Sequence, residues 1–213
     1  MLRLREGDAI TVIDSAGRAY SATLLESGRV VRAQVQTEIA PRASSSAVRI
    51  DLAQAVPKGS RMDFVIEKAT ELGVAAFQPF FSERSVGRNA GDAKRSRWQR
   101  LAKTAAQQCG RSAVPGVKVP IAFEELLQRF SGYDGVLFAW ELADPKPLMQ
   151  RLAEILPSAG TLLVVVGPEG GFSHAEAENA AAHGAEMLWL GPRVLRTDTA
   201  ALVLLAVIGA VTS

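Results

Sequence analysis

The sequence predicts an α/β protein in which a small N-terminal β unit precedes a larger domain, a parallel sheet with helices on both faces. Three observations lead there. Over residues 1–38 apolar positions recur with period two between turn residues, as in short strands with one buried face. From about residue 48 onward, strand-like runs alternate with stripes of helical period, and strands joined through helices pair in parallel by right-handed crossovers. The run Leu162-Leu163-Val164-Val165-Val166 is continuously apolar, which suits a strand buried on both sides.

Strands are expected over 9–13, 19–25 and 29–39, divided by Asp14-Ser15-Ala16-Gly17 and Glu26-Ser27-Gly28, residue types that favour turns. Val31, Ala33 and Val35 alternate with Arg32, Gln34 and Gln36, marking the third strand as half-buried. Three strands in so short a span suggest a small barrel or a meander. Pro41-Arg42-Ala43-Ser44-Ser45-Ser46 has linker composition, which divides the chain into units 1–46 and 47–213. In the second unit 48–56 reads as a strand. Ser60 with Asp63 makes a capping-box-like start to a helix whose stripe is Met62, Val65, Ile66, Ala69 and Leu72, with Gly73 as its stop. A strand over 74–81 follows, then a stripe of Trp98, Leu101, Ala102, Ala105, Ala106 and Cys109 before Gly110. Strand and helix pairs continue at 117–120 with 124–130, 135–140 with 148–156, 161–166 with 174–183, and 186–190 with 200–211.

Composition narrows the function classes. With 213 residues, 48% apolar and 22% charged, the chain has a globular make-up that excludes wholesale disorder. Its one cysteine, Cys109, allows no intramolecular disulfide, and with His174 and His183 alone beside it a four-ligand zinc site cannot form. No metal is expected. The longest apolar run, 200–211, falls short of the roughly 18 residues that a membrane span takes. The first residues, Met-Leu-Arg-Leu-Arg-Glu-Gly-Asp, lack the apolar core of a signal peptide. The expectation is a soluble, cytoplasmic protein. Residues 51–118 hold 12 bases against 6 acids, whereas 119–213 hold 5 bases against 11 acids. A basic middle third of this kind can face a polyanion.

In open α/β sheets ligands gather at the carboxyl ends of the strands, and two βα loops stand out there. The first is Gly167-Pro168-Glu169-Gly170-Gly171-Phe172, followed by Ser173 and Glu176 in capping-box spacing. Three glycines in five residues let backbone approach a ligand or take positive φ. Neither GxGxxG nor GxxxxGK[ST] is present, and Glu169 would repel phosphate, so the loop suits a ligand with hydroxyls or positive charge. The second, Leu190-Gly191-Pro192-Arg193-Val194-Leu195-Arg196-Thr197-Asp198-Thr199, enters the last helix with residues fit for capping. Consecutive strands tend to be neighbours, so the two loops are expected to line one cleft. As punctuation alone, the glycines and prolines would be turn residues, and Thr197, Asp198 and Thr199 merely caps.

The paired motifs Gly-Pro-Glu-Gly-Gly-Phe-Ser and Leu-Gly-Pro-Arg-Val-Leu-Arg-Thr-Asp-Thr-Ala-Ala resemble the cofactor loops of the ribosomal RNA small subunit methyltransferase E family, within the SPOUT (trefoil-knot) superfamily. The likeness extends to Lys58-Gly59-Ser60-Arg61-Met62-Asp63, Glu67-Lys68-Ala69-Thr70-Glu71-Leu72-Gly73, Ser82-Glu83-Arg84-Ser85-Val86, Arg97-Trp98 and Gln107-Gln108-Cys109-Gly110-Arg111, nearly the whole chain. It implies S-adenosylmethionine-dependent methylation of N3 of uridine 1498 in 16S ribosomal RNA, on the small ribosomal subunit. It also implies a knotted parallel-sheet domain, a small N-terminal PUA-like β barrel and a homodimer. The family pattern carries a further strand before the segment matching Leu2-Arg3-Leu4-Arg5-Glu6-Gly7-Asp8, so the barrel is expected to lack its first strand and to expose an edge. Asp198 stands where the family more often has Glu, and Cys109 where Ser is frequent.

Carried over by motif, the cofactor is expected to rest on Trp140, Glu141, Gly167, Pro168, Glu169, Gly170, Gly171, Leu190, Gly191, Leu195, Arg196 and Thr197. Arg196 is expected to donate to the uridine carbonyl, after the logic of an oxyanion site. Glu169 or Asp198 is the candidate proton acceptor. RNA phosphates are assigned to Lys58, Arg61, Arg84, Arg88, Arg97 and Arg111, while Trp98, Phe172 and both histidines are read as structural. Two alternatives remain: a related methyltransferase acting on another RNA position, and an RNA-binding relative without activity.

Overall fold

The computed structural model describes residues 4–14, 18–39, 48–85, 91–156 and 160–212. Its N-terminal unit is an antiparallel meander of β1 (Ala9–Ile13), β2 (Ala19–Glu26) and β3 (Arg32–Ile39). Among the described residues this is an open three-stranded sheet and not a barrel, with β1 and β3 as its edges. Ala19, Ala22 and Leu24 of the central strand are buried, whereas Val35 of β3 is 54% exposed and Val31, just before that strand, 65%. The third strand is therefore an exposed edge, not a half-buried one, because three strands offer its apolar side chains too little partner surface. The expected linker at 41–46 lies outside the described residues.

The larger unit is a seven-stranded sheet whose recorded pairings are all parallel. In chain order its elements are β4 (Arg49–Ala55), α1 (Arg61–Glu71), β5 (Ala76–Phe81), α2 (Asp92–Cys109), β6 (Gly116–Val117), β7 (Ile121–Ala122) and α3 (Phe123–Leu127). A 3-10 turn at Phe130–Gly132 follows, then β8 (Gly135–Ala139), α4 (Leu148–Ile155), β9 (Thr161–Val166), α5 (His174–Ala182), β10 (Ala185–Leu188) and α6 (Thr197–Thr212). The strands run β10-β8-β9-β4-β5-β6, with β7 also on β5. The strand expected at 117–120 is thus two short pieces, split by Pro120, which has no N–H for a ladder.

Alternation along the strands divides the core in two. Ile50, Leu52, Phe77, Leu137, Leu162, Val164 and Val166 pack with α1, α2, α4 and α6. Ala53, Ala55, Phe80, Val136, Phe138, Leu163 and Val165 pack with α3 and α5. Both faces of β9 are covered, as its unbroken apolar run predicts. Two local expectations change. Ser60 is the N-cap of α1 but makes no side-chain cap bond: its backbone (φ −97°, ψ 6°) is not extended, and Asp63 N donates to its carbonyl (3.0 Å) instead. Cys109 is exposed; the buried stripe of α2 ends at Ala106. No described helix is long and apolar enough to cross a membrane.

Candidate active site

A cleft of about 240 Å³ opens at the carboxyl ends of β8, β9 and β10, lined by residues 139–141, 166–172 and 189–195 with Thr197 and Ala200. The strands behind the two motif loops are not neighbours: β8 lies between β9 and β10. The loops meet because they flank the end of β8, and Trp140 and Glu141 form the wall between them. The Trp140 N–H donates to the Leu188 carbonyl (3.0 Å), fixing this wall to β10.

Each glycine of the first loop has a geometric reason where it matters. A Cβ on Gly167 would lie 2.8 Å from the Phe172 ring. That ring is buried and packed on Phe138, with centroids 4.2 Å apart, so it cannot move aside. Gly171 has φ +66°, and a Cβ there would meet the Glu141 carboxylate at 2.5 Å. Glycine alone allows both the conformation and the approach. The loop then enters α5 through the expected capping box: the Ser173 hydroxyl accepts from Glu176 N, and the Glu176 carboxylate accepts from Ser173 N. The same carboxylate accepts from Glu83 N (2.8 Å), tying in the loop after β5.

The second loop is fixed from beneath. Thr197, 5% exposed, donates its hydroxyl to the Gly167 carbonyl and accepts from Gln54 Nε2 (2.8 Å) at the end of β4. Trp140 lies edge-on to His174, ring centroids 5.5 Å apart. Its indole Nε1 is buried without a hydrogen-bond partner, a polar group placed in a cleft wall and left unsatisfied by the protein.

Of the twelve residues expected at the cofactor, eleven line the cleft. Arg196 is outside the lining; it is exposed, and its carbonyl accepts from Ala200 N (2.8 Å) as α6 begins. Asp198 is also outside, its Oδ1 accepting from Thr199 N (2.9 Å) in the first turn of α6. Glu169 is in the lining, but its carboxylate accepts from Lys58 N (3.0 Å) and pairs with Arg61. Burial alone would push this carboxyl up; hydrogen bonds from its own N–H, Lys58 and Arg61 outweigh that and hold it below its ordinary value. Pro192, Arg193 and Val194, within the 190–197 stretch expected to hold the cofactor, are in the lining too; sequence reasoning missed Ala139, Val166, Phe172, Trp189 and Ala200 there. The signal for Arg193 was present in the motif, which carries two arginines three residues apart.

The expected phosphate contacts divide. Arg84 Nη1 donates to the Gly170 carbonyl (2.9 Å), so it joins Arg61 beside the glycine loop. Arg97 is 62% exposed but forms an ion pair with Asp63. Arg111 is partly buried, and its Nη1 donates to the Thr70 and Val74 carbonyls (2.7 and 2.8 Å), closing the end of α1. Arg88 lies outside the described residues, and Lys58 is exposed.

A parallel sheet with a glycine-walled cleft at its carboxyl edge defines an α/β enzyme domain, and a family model for an RNA methyltransferase domain matches residues 44–209. Ribosomal RNA small subunit methyltransferase E of Bacillus subtilis is 34% identical over 214 residues, spanning 98% of this chain and 84% of the relative. Its Mycobacterium bovis counterpart is 33% identical, spanning 99% and 81%. A crystal structure of a ribosomal RNA small subunit methyltransferase E from Neisseria gonorrhoeae, bound to S-adenosyl methionine, superposes with a TM-score of 0.86 at 33% identity, over 98% of this chain and 85% of that one. The chain belongs to the ribosomal RNA small subunit methyltransferase E family.

Proposed function

We propose that this protein transfers a methyl group from S-adenosylmethionine to N3 of uridine 1498 of 16S ribosomal RNA, on the small subunit, as a cytoplasmic homodimer. The observation that carries the reading is the joining of both motif loops around one cleft through Thr197 and Gly167. The residues fit the cofactor. Glycine backbone permits close approach, Glu141 supplies negative charge toward a sulfonium, and the unsatisfied Trp140 Nε1 offers a donor. Trp140, Glu141, Gly167 to Gly171, Leu190, Gly191, Leu195 and Thr197 would hold it. When bound, S-adenosylmethionine supplies an activated methyl with a neutral thioether as leaving group.

The protein's own part is positioning first. Fixing an acceptor in line is worth up to ~7–11 kcal/mol in ideal cases, whereas a placed base contributes about 10²–10⁴-fold. The second loop supplies the cation for the uridine carbonyl, from Arg196 as its motif position implies or from Arg193, which lines the cleft. Glu169, held ionised by Arg61, is a weaker base than a free glutamate; Asp198 is the other candidate proton acceptor. Lys58, Arg88 and Arg97 are the phosphate contacts in this reading. The dimer reading draws on α6: after Asp198 it carries no charge, its surface includes Val203, Ala206 and Ala210, and Phe64 of the adjoining α1 is 46% exposed. A helix apolar all round suits burial in an assembly. Residues 1–46 form the PUA-like unit in this reading, and 47–213 the knotted SPOUT domain.

The test offers the protein and S-adenosylmethionine to undermethylated small subunits and maps reverse-transcription stops. A methyl on N3 blocks pairing, so one new stop at that uridine is expected. A stop elsewhere would transfer the activity to another RNA position; no stop would favour an RNA-binding relative without activity. R196A and R193A, assayed alike, identify the arginine by loss of turnover.

A further inference from the structure

The glycine loop is braced from outside by two neighbouring βα loops. From the loop after β4 and the first residue of α1, Lys58 N and Arg61 reach the Glu169 carboxylate, across 111 and 108 residues of sequence. From the loop after β5, Arg84 reaches the Gly170 carbonyl at 2.9 Å, and its Cβ lies 3.2 Å from where a Cβ on Gly170 would be. Arg61 has its charge offset by the Glu169 carboxylate and is 39% exposed, against 62% for Arg97 in its pair with Asp63, so less of its charge faces an RNA phosphate. We propose that Arg61, with Arg84 beside it, is a positioning residue for the cofactor loop: it acts through Glu169 to hold residues 169–170 in the ligand-ready shape, and does not contact RNA phosphate. This rests on the methyltransferase reading above and adds to it a division of labour within the basic middle third.

The physical need for the brace lies in the loop's composition. Glycine loses more backbone freedom on ordering than any other residue, and three of five residues here are glycine. Without struts the ligand itself must order the loop, and apparent affinity falls by the fraction of molecules already in the competent shape. Freeing Glu169 would also strengthen its pull on a positive ligand. That gain is small, because the carboxylate is 27% exposed and water screens it.

The experiment measures S-adenosylmethionine binding by calorimetry on the full chain, without RNA, for wild type, R61A, R61K, E169Q and R61A/E169Q. Small-subunit binding is followed in parallel against salt. R61A is expected to weaken cofactor binding about tenfold and to raise KM for the cofactor with little change in kcat. R61K should fall between, since an ammonium keeps the charge but loses the planar fork. R61A/E169Q should be no weaker than E169Q, because both changes remove one interaction. The salt slope of R61A should equal that of wild type. An R61A protein that binds the cofactor normally, or whose defect adds in full to that of E169Q, overturns the proposal. So does a salt slope reduced by about one, the mark of a lost phosphate contact. R61K keeps the comparison open should R61A melt early. A wild-type protein that binds no S-adenosylmethionine is a separate result, read before any variant; it overturns the function reading and this inference with it.

Discussion

The Thr197 hydroxyl, on the first turn of α6, donates to the Gly167 carbonyl at the end of β9, thirty residues earlier. One small side chain thereby joins the two loops of the cleft. A hydroxyl can donate and accept at once, and this one also accepts from Gln54 at 2.8 Å, so β4 takes part in the junction. Replacing Thr197 by Val keeps the shape and removes both bonds. Leaving buried partners unsatisfied costs about 1–3 kcal/mol. T197V should lower the urea midpoint accordingly and weaken cofactor binding, while T197S should retain most of both.

Gly167→Ala should be destabilising by about 1–3 kcal/mol, as for overpacking in a filled core. The added methyl would stand 2.8 Å from the Phe172 ring, which is 2% exposed and held among Phe80, Phe123 and Phe138. A denaturation curve measures the loss. An unchanged midpoint would mean that the ring yields.

Arg111→Ala separates a structural arginine from an RNA contact. Its guanidinium serves two carbonyls where α1 gives way to β5, and hydrogen bonds to charged groups contribute about 1.5–3 kcal/mol. The expected result is a lower melting temperature with an unaltered salt slope for subunit binding. A lower slope at constant melting temperature would reverse the assignment.

Tyr133 gives a pH dependence with a definite sign. Burial and the nearby Asp51 carboxylate, to which its hydroxyl donates at 3.0 Å, push the phenol up to about 12. The unfolded chain loses this proton near its ordinary value of 10.0, so above that pH the unfolded state binds fewer protons than the folded one. Stability should hold below about pH 10 and decline toward pH 12. Denaturant midpoints across that range check it, and in Y133F this part of the decline should be absent.

Local order was legible wherever it follows from short-range chemistry. The unbroken apolar run of β9 announced a strand covered on both sides, and Ser173 with Glu176 announced a capping box, because each pattern is complete within a few residues. The two loop motifs identified all but a few of the cleft residues for the same reason. Ser60 and Asp63 have similar spacing but no cap bond, since the Ser60 backbone is not extended and its carbonyl, not its hydroxyl, accepts from Asp63 N. Val31 and Val35 alternate like a buried strand yet lie on an edge, because alternation does not say how much surface a sheet will find to cover it.

The sequence by itself thus determined the order of strands and helices, the identity of the two loops and the basic character of the middle third. Tertiary structure alone decided that β8 separates β9 from β10, that Arg193 and not Arg196 lines the cleft, and that Arg61 and Arg84 turn inward to the glycine loop. Period and turn chemistry act over a few residues and leave their mark in the residue string. The partner of a charged side chain is chosen among groups a hundred residues away, and that choice exists only once the sheet has brought them together.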